Sequence, residues 1–218
     1  MTNINIEKFV CERLSIDNKN KKLMRSFTNS RNPNIAEYLK KCAWIEDKNG
    51  QNAHYIIKDT ENDKIVLYFS LKCGSIIKKF SNKEIGANSK KGNFKKNAPI
   101  DTSHMRVGST RSGIELTHIC INDSYVRGIE HYKGGLGLLL FYVYIVPLIK
   151  EIYTVIGCEY LYLFVADNSE DRSLVAYYKA EFKFKELDSS FSQKGHLPIL
   201  TAYNQDCTFM YLKINSLI

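Results

Sequence analysis

The sequence predicts a mixed α/β (α+β) domain: a mostly antiparallel, twisted sheet with helices on both faces. Three observations predict it. Two runs rich in Ile, Val, Tyr and Phe, residues 54–59 and 64–73, flank the polar break Thr60-Glu61-Asn62-Asp63 and read as a hairpin. A strand-like run at 114–121, a glycine turn, a long apolar run and an apolar strand at 160–165 follow in the order of an α/β unit. Two more strand-like runs, 182–187 and 207–214, close the chain.

Each element has its own warrant. Ile6, Phe9, Val10 and Leu14 mark a first element whose period fits strand or helix. Pro33 opens a helix after Asn32, a suitable cap, and Ile35, Tyr38, Leu39 and Cys42 recur at helical spacing. That helix ends at the turn signal Lys48-Asn49-Gly50. The hairpin follows. A long helix over 135–156 is bent near Pro147, which supplies no N–H to the ladder. Residues 171–180 form a further helix, with Leu174, Val175 and Tyr178 on one face.

The chain has 218 residues, which suits a single domain over 1–218. Apolar residues at 44% and charged residues at 25% exclude whole-chain disorder, collagen and coiled coil. A mean hydropathy of -0.29 excludes a polytopic membrane protein. Residues 134–149 carry no charge, yet such a run is shorter than the roughly 20 residues a membrane span needs, so it reads as a buried helix.

Net charge is +8. Residues 72–106 hold nine basic and two acidic residues, a local +7, with frequent Gly, Asn and Ser. This reads as a basic insertion at about 74–112, with one short helix and otherwise mobile. A basic segment attracts polyanions, so nucleic acid is an open partner. Its lysines have only Phe80 and Phe94 among them, which gives thin support for base stacking and disfavours that partner. No membrane partner is expected, and a homodimer is left open. Six cysteines (11, 42, 73, 120, 158, 207) form no CxxC unit and no zinc spacing. The polar start MTNINIEKFV has no apolar signal region. Six reduced thiols in a cytoplasmic protein are expected.

Chemistry concentrates at Tyr132-Lys133-Gly134-Gly135-Leu136-Gly137-Leu138. Glycines let a backbone turn tightly and approach a ligand. The helix that follows opens with free N–H groups and the positive end of its dipole, an anion site suited to a pyrophosphate. There is no GxxxxGK[ST], the glycine spacing is not GxGxxG, and no GxSxG elbow occurs. His104, His118 and His131 lack metal-ligand spacing.

These residues resemble the GNAT superfamily of acyl-CoA N-acyltransferases. Gly135-Leu136-Gly137 matches the G-x-G of R/Q-x-x-G-x-G/A; Leu161 to Val165 and then Asn168 match the second strand and its Asn. Leu174-Val175-Ala176-Tyr177-Tyr178 matches the tyrosine-bearing helix, and Tyr68-Phe69-Ser70-Leu71 matches a strand that often reads GYYSL. The likeness covers roughly 26–73 and 113–214. In three places the chain departs: Tyr132 stands at the R/Q position, about six residues (129–134) are extra, and Gly-Phe reads Lys183-Phe184 with one residue added.

The resemblance implies a splayed central strand pair and direct transfer of an acetyl group from acetyl-CoA to a primary amine of a small molecule, peptide or lysine. Coenzyme A would pair with the backbone at Ile119 and Ile121, with the Ile119 N–H polarising the thioester oxygen. Its pyrophosphate would lie on the N–H groups of Lys133, Gly134, Gly135, Leu136, Gly137 and Leu138, near Asn168. Glu115 sits where some members carry a general base, and Tyr178 aligns with the tyrosine that protonates the leaving thiolate. Tyr177 competes with Tyr178. His118 is the fallback base, on the opposite strand face from Glu115. The helix and YFSL near the start also resemble GNAT-type toxins that acetylate aminoacyl-tRNA. A non-catalytic acyl-CoA-binding or nucleic-acid-binding module on the same fold is the remaining alternative.

Overall fold

The structure is a computed structural model, and it describes residues 4–79, 107–127, 135–167, 169–186, 196–198 and 207–217. The chain divides into two compact units: residues 1–72, 115–156 and 217–218, and residues 73–114 and 157–216.

In the first unit the leading element is a strand, β1 (Phe9–Arg13), closed by a short 3-10 turn at Leu14–Ile16. A short helix α1 (Asn20–Met24) follows. Helix α2 runs over 33–48 and opens at Pro33 as expected; Asn32 stands at the cap but makes no side-chain capping bond. A wider π-type turn at Leu39–Ala43 interrupts it, and Gly50 leaves it at φ +69. The expected hairpin is present as β2 (Ala53–Asp59) and β3 (Lys64–Lys79). β1 pairs β2 and β2 pairs β3, both antiparallel, with a register shift at Ile57/Lys58.

β3 continues to Lys79, and the next strand, β4, spans Val107–Ile121. The outer parts of the segment read as an insertion are therefore strand. The sequence signal there was overridden because Lys and Ser are tolerated along a ladder held by backbone bonds. Residues 80–106 lie outside the described residues. β4 is β3's neighbour in the sheet. Asn122 N–H bonds Val66 C=O (2.9 Å) while Thr117 Oγ1 meets Ser70 Oγ (2.9 Å), so one strand climbs as the other falls.

Asn122 then caps the short helix α3 (Asp123–Val126) and accepts the Thr28 N–H at 3.0 Å. Helix α4 (Leu136–Ile156) has 21 residues and is long and apolar enough to cross a membrane by length and composition. It is not the wholly buried helix the sequence suggested. Leu136, Leu140, Phe141, Ile145, Val146 and Ile149 form a buried stripe, whereas Val155 and Ile156 are 76% and 57% exposed. Its irregular turn, Phe141–Ile145, lies just before Pro147, where the missing N–H frees a carbonyl. The core of this unit gathers Leu14, Phe27, Leu39, Trp44, Ile56 and Tyr68.

In the second unit β4 neighbours β5 (Tyr160–Ala166). Ser112 C=O accepts from Glu159 N–H (3.0 Å) and Gly113 lies against Tyr160 and Tyr162, so the numbers climb together and the pair is parallel. A parallel neighbour needs a long crossover, which residues 122–159 supply. After helix α5 (Ser173–Ala180) come β6 (Lys185–Glu186), β7 (His196–Pro198) and β8 (Cys207–Lys213). β8 pairs β5 and β6, and β7 pairs β3, all antiparallel. Only two residues of the closing run expected at 182–187 are strand among the described residues. Ile76, Tyr160, Tyr162, Phe209 and Tyr211 build this core. The sheet is thus mixed and mostly antiparallel, as expected. All six cysteines are free thiols.

Candidate functional site

The glycine turn begins α4. Gly135 holds φ +97, a conformation that only glycine adopts without strain, and among the described residues nothing lies within 4 Å of the place its Cβ would take. The first bond of the helix runs from Leu139 N–H to Gly135 C=O (2.9 Å), so the N–H groups of Leu136, Gly137 and Leu138 have no acceptor within the helix. A Cβ on Gly137 would stand 3.4 Å from Ile121 Cγ1. The first turn of α4 therefore rests on the end of β4, bringing Gly135, Leu136, Gly137, Leu138 and Ile121 together. Those free donors and the helix dipole fit a pyrophosphate. Lys133, Gly134 and Asn168 lie outside the described residues. Asn29 Nδ2 donates to the Ile121 carbonyl at 2.9 Å, so that carbonyl already has one partner.

Along β4, side chains alternate between two faces. Glu115, Ile119 and Ile121 share the face toward α4. Glu115 is only 6% exposed, which excludes a solvent-facing Glu at a strand start. His118 and Cys120 take the other face, and Cys120 packs against the core under α2. The structure does not bring Glu115 and His118 onto one surface.

The face of His118 carries a layer of rings that pattern reading missed. Tyr38 from α2 stacks on His118 at 4.5 Å between centroids. His54 from β2 and Tyr68 from β3 complete the layer, stacked at 5.9 Å, with Tyr68 and His118 at 5.8 Å. His54 is fully buried. Its Nε2 meets the Glu46 carboxylate at 3.3 Å and its Nδ1 meets Tyr68 Oη at 2.8 Å. A carboxylate only accepts, so Nε2–H donates and Nδ1 accepts the tyrosine proton. Glu46 also receives Asn52 Nδ2 at 2.7 Å and the Tyr38 hydroxyl. Burial pushes Glu46 up, but these three hydrogen bonds outweigh it and hold the carboxyl below its ordinary range. Burial lowers His54, against the pull of Glu46. It lowers His118 further, with neighbouring His54 adding to the effect, to about 4. Both imidazoles are therefore neutral near pH 7. The sequence offered one signal, His54, Tyr68 and Ser70 lying on alternate hairpin positions, but the register that aligns them was not readable.

Tyr178 lies on α5 in the second unit. It is half-buried, with its ring against Phe182 (5.2 Å) and Phe184 (6.0 Å). Tyr177 is more exposed, and burial together with Glu181 raises its phenol above the ordinary value.

No protein-family model matches the sequence, and no curated protein matches it. Solved structures do. The chain is similar to a tyrosine-to-phenylalanine mutant of the toxin AtaT bound to the C-terminus of the antitoxin AtaR and acetyl-CoA: 11% identity, 96% of each chain covered, TM-score 0.57. AtaT complexed with acetyl-methionyl-tRNAfMet is similar at 14% identity, 96% of each chain and TM-score 0.55. A tyrosine-to-phenylalanine mutant of KacT is similar at 11% identity, 96% of this chain and 97% of that one, TM-score 0.57. The chain has the GNAT fold. At these identities the likeness speaks for the fold alone. One departure from the GNAT pattern acquires a reason here: Lys183, standing at the glycine of Gly-Phe, holds φ +64, the backbone conformation for which glycine is suited. Its Nζ donates to the Ala180 carbonyl at 2.6 Å, capping the end of α5.

Proposed function

We propose that this protein transfers an acetyl group from acetyl-CoA directly to a primary amine. The observation that carries the reading is the start of α4: an unstrained left-handed glycine, free N–H donors and contact with the end of β4, on a fold matched over nearly its whole length by acetyl-CoA-bound structures. The donors of Gly135, Leu136, Gly137 and Leu138 would hold the diphosphate, and Ile119 and Ile121 would pair with the pantetheine arm. Acetyl-CoA supplies the activated acyl group. Tyr178 is the proposed acid for the leaving thiolate. Glu115 and His118 are the two candidates for the base, one on each face of β4. Thermal shift with acetyl-CoA, together with thiol release over a panel of amines, tests the reading. Absence of both removes it.

A finer reading makes the acceptor the α-amino group of an aminoacyl-tRNA. It is favoured by the likeness to AtaT complexed with acetyl-methionyl-tRNAfMet and by the net charge of +8. An α-amine is less basic than a lysine, so more of it is the free nucleophile at pH 7. Charged tRNA that outcompetes lysine and small amines, with strong salt dependence, supports this acceptor; equal turnover of all amines argues against it.

A further inference from the structure

We propose that His118 Nε2 takes the proton of the attacking amine, and that Ser70 and Thr117 hold the imidazole in the tautomer that leaves this atom unprotonated. The inference rests on the acyltransfer reading above and chooses between its two candidate bases.

The contacts of Ser70 and Thr117 favour this tautomer. Thr117 Oγ1 donates its single proton to the Ser70 carbonyl (3.3 Å). Either hydroxyl can donate across their 2.9 Å contact, and in the proposed arrangement Ser70 Oγ–H donates to Thr117 Oγ1. Ser70 then has no second proton, and in this arrangement its 2.7 Å contact with His118 Nδ1 is made by the ring N–H, as the proposal requires. No described residue bonds to the other nitrogen, Nε2, which in this tautomer keeps its lone pair. His54 beside it is the opposite case, with both nitrogens committed. Tyr38 spends its hydroxyl proton on Glu46, and Tyr68 spends its own on His54. Within this layer one nitrogen lone pair has no donor.

The groups facing His118 set its behaviour. They are Tyr38 and Glu46 from α2, His54 from β2, Tyr68 and Ser70 from β3, and Cys120 from β4 itself; Thr117 acts only through Ser70. Tyr38, Tyr68 and Cys120 all have their acidities weakened by burial and remain neutral. The imidazole is therefore neutral and ready at physiological pH. An amine enters as its free base; its nitrogen forms the C–N bond to the acetyl carbonyl and becomes acidic as it gains charge. The N–H proton passes to His118 Nε2, the C–S bond breaks, and the thiolate takes a proton from the acid assigned above. His118 returns its proton to water, and Tyr178 regains from water the one it gave to the thiolate. The products are the amide and coenzyme A thiol. A weakly basic imidazole suits this order, because it accepts from a nitrogen already bonded to carbon and releases the proton quickly.

Three variants test it in the full chain, with acetyl-CoA and the amine from the panel above that gives thiol release. His118→Asn keeps a donor for Ser70 Oγ and removes Nε2. It should keep its melting temperature and acetyl-CoA shift yet lose about 100-fold in kcat with little change in KM. His118→Ala should regain turnover with added imidazole, and the rescue should grow with the basicity of substituted imidazoles. Ser70→Ala frees the tautomer and should cost about tenfold in kcat. If His118→Asn binds acetyl-CoA and turns over within threefold of wild type, the proposal is wrong and Glu115 is the base to test, while acyl transfer stands. If His118→Asn loses its fold, Ser70→Ala decides, and full kcat there overturns the assignment. Wild type with neither acetyl-CoA shift nor thiol release overturns the acyltransfer reading and this proposal with it.

Discussion

The buried imidazoles make stability depend on pH in a window where most carboxylates are silent. His118 is held at about 4 in the fold by burial, against 6.5 for a free side chain. As pH falls below 6.5 the unfolded chain binds a proton that the folded chain refuses. Stability therefore falls with pH from about 6.5 and levels off near 4. Between pH 7.5 and pH 5 the two titration curves differ by about 2 kcal/mol for one such group, an upper figure for a half-buried ring. His54 acts with the same sign. Asp47, Asp59 and Glu46 are held below their ordinary values, so stability from them is lost only as pH falls below roughly 5. Urea unfolding of wild type and His118→Asn at both pH values isolates the ring, because every other group is common to the pair. Wild type should lose about 2 kcal/mol more than the variant over this window. Equal losses in the two proteins would refute the neutral, desolvated His118.

Three further outcomes follow from other parts of the molecule. Gly74→Ala should destabilise by about 1–3 kcal/mol in chemical denaturation, because the new Cβ falls 1.8 Å from Tyr162 Oη and 2.7 Å from Cζ, and that ring is itself buried. Lys183→Gly should gain up to about 1 kcal/mol by relieving φ +64, less whatever the Nζ cap on Ala180 contributes; a loss in melting temperature would mean the cap dominates. A colorimetric thiol reagent at pH 7.5 should modify the exposed Cys42 and Cys73 first, and Cys120 and Cys11 slowest, since burial pushes Cys11 up to about 12 and Cys120 higher still.

Much of the fold was legible because it rests on local signals. The hairpin followed from two β-rich runs around Thr60-Glu61-Asn62-Asp63, α2 from Pro33 and a helical stripe, and the start of α4 from three glycines before an apolar run. Misreadings arose where a local signal met a tertiary constraint. Lysines and glycines after Lys72 look like loop, yet β3 continues to Lys79 because neighbouring strands supply its backbone bonds. The burial of Glu115 was likewise not readable from its place at a strand start, because packing against it comes from elsewhere in the chain.

The sequence by itself determined the order of the elements, the glycine turn and the opposition of Glu115 to His118, since each depends on near neighbours and the two-residue period of a strand. Only the tertiary structure decided which rings surround His118 and which of its nitrogens meets Ser70. That choice depends on Tyr38, His54, Tyr68, Ser70 and Thr117 arriving from four elements. The pairing of β2 with β3 and of β3 with β4 sets their alignment, and a slip of one residue would turn His54, Tyr68 and Ser70 to the other face.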